Sequence, residues 1–432
     1  MTVLEGTATF GMEASRALGA RLADSPKMAA LRKEAAAAAS VLAWPDSYQQ
    51  RPWKYWDPSR LSLDGFSPAT DAVNGGRTGA PRSCPVTGEH AAVHATENSE
   101  TVFTEAAGEG LTVIPFEASH TAATQRIIDE HLGKAVPFDR SKLTALHYAF
   151  QRGGVLVHVP PNVEITLPVR LLRTLVSDRQ FAAPHTLIVT GANSRVTVVE
   201  DYHSGDGDIL VFPAVEVFPG PGAEVRYTAI HRWGANTRVF AEQRMVALRD
   251  SAFIGTHVAV GGRVVKSHIE SSLEGRGSSS ELYGLAFGTG ADHIDSFTLQ
   301  DHIGPDTRSN LLYKSALKDH SRGVYYGLTR VGLGARNADA NQENRNLLLS
   351  STAKADSDPV LEILTSDILR CSHGATAGPV DQEQLYYLQT RGIPHRAAEA
   401  LLVRAFLNQV LDRVPDEALR DELAAALDAR LS

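Results

Sequence analysis

Short apolar runs dominate the chain from Val155 to about Ile368, and no helix-length periodic segment interrupts them. Runs such as Val155-Leu-Val-His-Val159 and Arg195-Val-Thr-Val-Val199 are separated by Gly, Pro, Asn, Asp and Ser. Alternation with a period of two predicts β-strands. More than 200 residues of strands without crossover helices exclude a doubly wound α/β fold and leave a sandwich, a propeller or a β-helix.

A loose internal repeat favours the β-helix among these three folds. Asn193, Gly222, Asp250 and Gly277 each stand in a small or polar turn just before a strand, 27 to 29 residues apart. Such spacing is typical of stacked supersecondary units, in which each coil buries its apolar face against the next.

Helical patterns flank the strand region. An Ala-rich segment with good helix formers runs from Met12 to Val41, and three helices are expected after Asp381. A segment rich in Gly, Pro, Ser and Thr, at about 67–99, contains Cys84 and predicts a long surface loop. The expected organisation is a helical region with this loop (1–150), a β-helix core (151–368) and a C-terminal helical region (369–432).

Composition narrows the classes of function. With 50 acidic against 42 basic residues, the net charge of −8 argues against a nucleic-acid binder. Two cysteines are too few for a disulfide scaffold and indicate the reducing cytoplasm. The sequence contains no run of about 18 apolar residues, so we expect no membrane-spanning helix. The first residues do not resemble a secretory signal. No Walker or Rossmann glycine motif occurs, so we expect no nucleotide hydrolysis by this chain.

The segment Cys371-Ser-His373 carries the strongest candidate for metal chemistry. Thiolate and imidazole are both suited to iron or zinc, and residues two apart in a strand point to one face. Two ligands alone do not close a metal site, so a partner chain or sulfide would have to supply the rest. The alternative is a buried, inert cysteine beside a hydrogen-bonded histidine.

A second cluster admits two interpretations. It comprises Asp292, His293, Asp295, Asp301 and His302. On stacked coils, these side chains could form an acid–base or metal site, as in polysaccharide-cleaving enzymes. A hydrogen-bonded polar ladder at the coil corners is the alternative that we favour.

Several motifs together resemble the SufB/SufD family of iron–sulfur cluster assembly scaffolds, over about Trp53 to Phe406. The resemblance rests on Trp53-Lys-Tyr55, Leu143-Thr-Ala-Leu-His-Tyr-Ala-Phe150, Asp339-Ala-Asn-Gln342, Pro359-Val-Leu-Glu362, Asp367-Ile-Leu-Arg-Cys-Ser-His-Gly-Ala-Thr-Ala-Gly378 and Asp381-Gln-Glu-Gln-Leu-Tyr-Tyr-Leu388. The Cys-Ser-His form, and the absence of cysteine from Asn341 to Asp358, are similar to the SufD branch. The segment at 67–99 does not match the family pattern.

The resemblance implies a right-handed parallel β-helix between helical regions, in a non-catalytic scaffold for de novo Fe–S cluster assembly. It implies a SufB-like partner paired through the β-helix, a SufC ATPase docked on the C-terminal helices, and a homodimer when SufB is absent. His373 is implied as a ligand for transient iron or an Fe–S cluster at the partner interface, with Cys371 as a second candidate. Reduced flavin is associated with the family's complex. A carbohydrate-active β-helix enzyme and a structural homodimer without metal chemistry stay as alternatives.

Overall fold

The middle part of the chain folds into two β-sheets, each made mostly of parallel strands. The two sheets face each other and form a β-solenoid of about eight turns. The computed structural model describes residues 9–68, 89–105 and 110–431. From β12 onward, successive strands alternate between the two sheets, and each strand pairs in parallel with the strand two later in sequence. This is the β-helix that the internal repeat favours and the parallel β-helix that the family resemblance implies.

The helices and strands have the following bounds. The helices are α1 (Met12–Leu22), α2 (Pro26–Val41), α3 (Ala122–His131), α4 (Lys142–Ala149), α5 (Gln382–Thr390), α6 (His395–Leu411) and α7 (Glu417–Leu431). The strands are β1 (Ser67–Pro68), β2 (Ala92–Glu97), β3 (Glu100–Glu105), β4 (Thr112–Pro115), β5 (Val155–Val159), β6 (Val169–Leu175), β7 (Gln180–Ala182), β8 (His185–Thr190), β9 (Arg195–Ser204), β10 (Leu210–Val211), β11 (Ala214–Phe218), β12 (Glu224–Trp233), β13 (Arg238–Ala247), β14 (Ala252–Gly261), β15 (Val264–Leu273), β16 (Ser279–Gly288), β17 (His293–His302), β18 (Arg308–Leu317), β19 (Arg322–Val331), β20 (Ala338–Leu348), β21 (Lys354–Ile363) and β22 (Ile368–Pro379).

The sheets are named here by their strand order. Sheet A runs β21-β19-β17-β15-β13-β11-β8-β5-β4, with β1, β7 and β10 beside this path, and sheet B runs β22-β20-β18-β16-β14-β12-β9-β6-β2-β3. Only the pairs β2–β3 and β4–β5 are antiparallel among the described strands. Side chains that alternate inward fill the space between the two sheets, as the period of two requires.

The repeat seen in the sequence has a backbone cause. Asn193, Gly222, Asp250 and Gly277 have φ values of 54°, 68°, 55° and 74°, and each precedes a strand of sheet B. Glycine, asparagine and aspartate tolerate this left-handed conformation best, so one such residue recurs at each turn.

The N-terminal helices close over the first coils. Ser25 caps α2, since its side chain accepts a hydrogen bond from the Met28 N–H, and Pro26 occupies the first helical position. The buried Arg32 side chain pairs with Asp24 at 2.6 Å and donates to the carbonyl of Gln151 at 3.1 Å. These contacts join α2 to the chain just before the solenoid.

Two expected boundaries differ from the structure. Within the predicted loop at 67–99, Ala92–Glu97 forms a strand of sheet B that pairs with β3 and β6, and all its side chains except that of Glu97 are buried. Residues 69–88, including Cys84, lie outside the described residues. The strand that begins at Ile368 continues to Pro379, so the C-terminal helices begin only at Gln382, not at residue 369.

The C-terminal helices pack on the outer face of sheet B. Val403, Leu407 and Val410 of α6 are buried in one apolar cluster with Leu285 of β16. The Lys314 ammonium donates to the Phe406 carbonyl at 2.8 Å and so ties β18 to α6. No helix among the described residues is long and apolar enough to cross a membrane.

Candidate functional site

The last coil of the solenoid is uncovered. The strands β21 and β22 stand at the ends of the strand orders of sheets A and B, and each pairs with one neighbour only. Their side chains are half-buried or exposed, whereas most inward side chains of earlier coils are buried. An unpaired strand edge exposes a row of backbone N–H and C=O groups that can pair with another chain.

Cys371 and His373 lie on β22 and face the interior of the solenoid at this open end. Their register partners on β20 are Ala340 and Gln342, which are 0% and 1% exposed and point inward. Ser372, between them, donates a hydrogen bond to Asn341 at 2.8 Å on the outer face. The same-face placement expected from their spacing is therefore present.

A β-bulge fixes which face these two residues occupy. Ala338 pairs with Ile368, but Asp339 pairs with Arg370, so Leu369 is an extra residue without a partner. An unbulged strand would place Cys371 on the face opposite to Ile368, because side chains alternate. The bulge keeps Cys371 inward, while Arg370 points outward and pairs with Asp339 at 2.8 Å. The sequence pattern gave no signal for this feature.

The two candidate ligands have different surroundings. Cys371 is half-buried and packs against Val331, Ala335 and Ala338, and burial raises the pKa of its thiol above the usual value of 9.0. His373 is exposed, and its ring has no hydrogen bond or ion pair with any described residue. An exposed, unpartnered imidazole can still ligate a metal, whereas the thiol must first lose its proton.

The interior below His373 is polar and is lined by neutral side chains. The Thr329 hydroxyl lies 3.0 Å from the amide oxygens of both Gln300 and Gln342, and Ser357 donates to Asn344 at 2.7 Å. No group of three or more His, Cys, Asp or Glu side chains in the described part of the chain is arranged to hold a metal ion. The described residues thus supply at most two ligands of a cluster site at this end.

The second cluster of the sequence does not form one site. Asp295 is 1% exposed and pairs with Lys266 at 2.8 Å on the outer face of sheet A. His302 points inward and is held by the hydroxyls of Thr307 and Ser309, each at 2.8 Å, and burial lowers its pKa to about 4. Asp301 pairs with Arg330. These side chains lie within β17 rather than at a coil corner, belong to separate ion-pair and hydrogen-bond networks, and do not converge on an open groove.

Part of the apolar stripe on the C-terminal helices stays accessible. Val410 and Leu411 pack on the solenoid, whereas Leu401 is 47% exposed. Tyr386 and Tyr387 are 70% and 56% exposed. They stand on α5, which follows β22 directly, so the exposed aromatic surface lies on the element next to the open coil.

Comparison with known proteins assigns the chain to a family. The family described as "SUF system FeS cluster assembly, SufBD core domain" matches residues 173–406. The iron–sulfur cluster assembly protein SufD of Bacillus subtilis is 31% identical over 72% of this chain and 72% of its own length. A SufBD family protein of Mycobacterium tuberculosis is 31% identical over 71% of this chain and 78% of its own.

A further relative belongs to the other branch. The protein SufB of Bacillus subtilis is 27% identical over 67% of this chain and 63% of its own length. The matched core spans more than half of the present sequence, from the sixth strand to the middle of α6. This chain belongs to the SufBD family of the SUF iron–sulfur cluster assembly system.

Proposed function

We propose that this chain is a SufD-like scaffold subunit that assembles Fe–S clusters de novo with a SufB-like paralogue. The observation that carries the proposal is the open last coil, where Cys371 and His373 face the uncovered interior on β22, an edge strand with one unpaired side. A paralogue with the same solenoid would pair with this edge, and its side chains would complete the ligand set. The Cys-Ser-His form of the motif supports the SufD assignment.

Iron and sulfide are the substrates at this interface. His373 would bind iron through one ring nitrogen, and Cys371 would join as a thiolate once iron lowers its pKa, since metal binding displaces the thiol proton. The chain itself would hydrolyse no ATP; a SufC ATPase would bind the exposed surface of Tyr386, Tyr387 and Leu401 and drive opening of the interface. The proposed cluster assembly would take place in the cytoplasm, where thiols stay reduced.

A homodimer is the second candidate state. The open edge is self-complementary in principle, because a C2 pair uses the same strand from both copies. A second copy would bring a second Cys371 and His373 to the interface. The arrangement of Asp295 and His302 in separate ion-pair and hydrogen-bond networks does not favour a carbohydrate-active enzyme.

The test of this proposal compares two exposed histidines. The chain is co-expressed with its paralogue and a SufC-like ATPase, and iron, sulfide and the visible absorption of the purified complex are measured. His373→Ala should lose most of the cluster with little change in melting temperature, because an exposed, unpaired side chain contributes less than about 1 kcal/mol to stability. His320→Ala, at an exposed turn, is the matched control and should keep both the cluster content and the melting temperature of the unmodified complex. Normal cluster content in His373→Ala would reject the ligand role.

The ATPase surface is tested separately. Tyr386→Ala with Tyr387→Ala should weaken co-purification of the ATPase without changing the pairing of the two scaffold chains. Tyr48→Ala, at a 98% exposed tyrosine in the N-terminal region, is the control. Retention of the ATPase at normal affinity in the double variant would show that it binds elsewhere.

A further inference from the structure

A short aromatic segment before the first strand, residues 51–58, lies across the outside of sheet A and is called the aromatic strap here. Trp53 is 4% exposed, and its ring stacks on Phe240 of β13 at 6.2 Å and 24°. The Lys266 ammonium of β15 lies 4.7 Å from the centre of the Trp53 ring and donates to the Pro52 carbonyl. The beginning of the strap is therefore fixed to the middle of the solenoid.

The strap also reaches the last coil. The Lys54 ammonium and the Tyr55 hydroxyl donate to the Asp358 carboxylate of β21, at 3.3 and 3.1 Å. The Arg322 guanidinium of β19 lies 5.0 Å from the centre of the Tyr55 ring and donates to Asp356 at 2.7 Å. Two residues after the buried tryptophan, the chain is thus bound to the strand at the open edge.

The strand β21 has few other supports. It pairs with β19 alone, and its inward side chains are only half-buried. Edge strands with many exposed hydrogen bonds open locally at low free-energy cost. A contact on the outer face of such a strand changes its local opening more than the same contact would in a central coil.

We propose that Lys54 and Tyr55 are positioning residues for the partner-binding edge and act through Asp358. They hold β21 against β19, so that the last coil is preformed before a chain with a similar solenoid edge pairs with it. The inference rests on the proposed function for the role of the edge, but the positioning itself is a property of the isolated chain. Preformed edges bind faster, since no ordering is needed at the encounter.

Hydrogen–deuterium exchange of the isolated chain tests the positioning. In the Lys54→Met/Tyr55→Phe double variant, exchange of peptides covering Lys354–Ile363 should rise roughly tenfold, because a charge-assisted hydrogen bond to Asp358 is lost. Exchange of Arg238–Ala247 and the melting temperature should stay unchanged. Tyr48→Phe is the matched control, and Asp358→Asn is a second variant that leaves the strap sequence intact. The proposal would be overturned if exchange of Lys354–Ile363 did not change in the double variant, or if exchange of Lys354–Ile363 and of Arg238–Ala247 rose equally.

Binding to the paralogue separates this inference from the proposed function. The association rate of the double variant should fall severalfold, while the Lys54→Arg variant, which keeps the cation, should associate at the normal rate. A change in exchange together with an unchanged association rate would reject the positioning role. Failure of the unmodified chain to bind any paralogue would instead reject the proposed function. The exchange measurement would then still show whether the aromatic strap holds β21 in place.

Discussion

The buried pair of Lys266 and Asp295 should stabilise the solenoid only as a pair. Both side chains are 1% exposed, and their charged atoms are 2.8 Å apart. In Lys266→Met, the Asp295 carboxylate would stay buried with one oxygen that already lacks a hydrogen bond among the described residues, and His293 is 3.8 Å away. Removing one partner of a buried ion pair costs about 3–5 kcal/mol. The Pro52 carbonyl would also lose its donor, so we expect the upper part of this range.

A double-mutant cycle measures this pair. Lys266→Met, Asp295→Leu and the double variant are compared by urea denaturation, followed by circular dichroism. The double variant should recover at least about 2 kcal/mol relative to Lys266→Met, because no buried charge is left unpaired. Arg195→Gln, which removes an exposed pair with Glu164, is the control and should change stability by less than about 1 kcal/mol. A loss of less than about 1 kcal/mol in Lys266→Met would refute the assignment of a buried, charged pair.

Three further predictions concern Glu216, His302 and Cys371. Glu216→Gln should lower the free energy of unfolding by about 3 kcal/mol in urea denaturation. The Glu216 carboxylate accepts hydrogen bonds from three backbone N–H groups at 2.7–2.8 Å, and the amide nitrogen that replaces one of its oxygens cannot accept a hydrogen bond. A loss under about 1 kcal/mol would contradict this prediction. Because burial lowers the pKa of His302 from 6.5 to about 4, stability present above pH 6.5 should be lost as pH falls through this window. His302→Asn should reduce the proton uptake on unfolding at pH 5 by about 0.9, and an unchanged uptake would show that His302 is charged in the folded chain. In a Cys84→Ser background, Cys371 should react with iodoacetamide at pH 8 more slowly in the folded than in the urea-unfolded chain, because burial raises its thiol pKa; equal rates would contradict the half-buried position.

The fold could be predicted from the sequence to the extent that local chemistry repeats. Asn193, Gly222, Asp250 and Gly277 each occupy a left-handed turn position, and few residue types tolerate that conformation. The resulting spacing is visible in the sequence and indicates stacked coils. The C-terminal helices were predicted for the same reason, since an apolar stripe at helical spacing depends on neighbours along the chain.

Features that depend on distant residues could not be predicted. The segment Ala92–Glu97 resembled a loop because of its polar residues, but it pairs with β3 and β6, and its His94 and Thr96 side chains are buried. The bulge at Leu369 depends on the register against β20, about 30 residues earlier, and leaves no pattern in its own strand. Tyr386 and Tyr387 are exposed because α6, rather than α5, covers sheet B. In each case the neighbours in space decide the outcome.

The position of Cys371 and His373 explains why an assembly site at this end would have to be shared. About 6.6 Å of strand separates their Cα atoms, so both can approach an ion that lies beyond the open edge. Adjacent strands lie about 4.8 Å apart, and a partner strand paired with β22 would therefore bring its side chains next to these two. Side chains two strands further into the solenoid would be too far from such an ion to bind it. On the adjacent strand β20, the register partners Gln342 and Ala340 are poor ligands for iron. At the proposed site, a complete cluster would therefore need ligands from both chains, and opening of their interface would expose or release it.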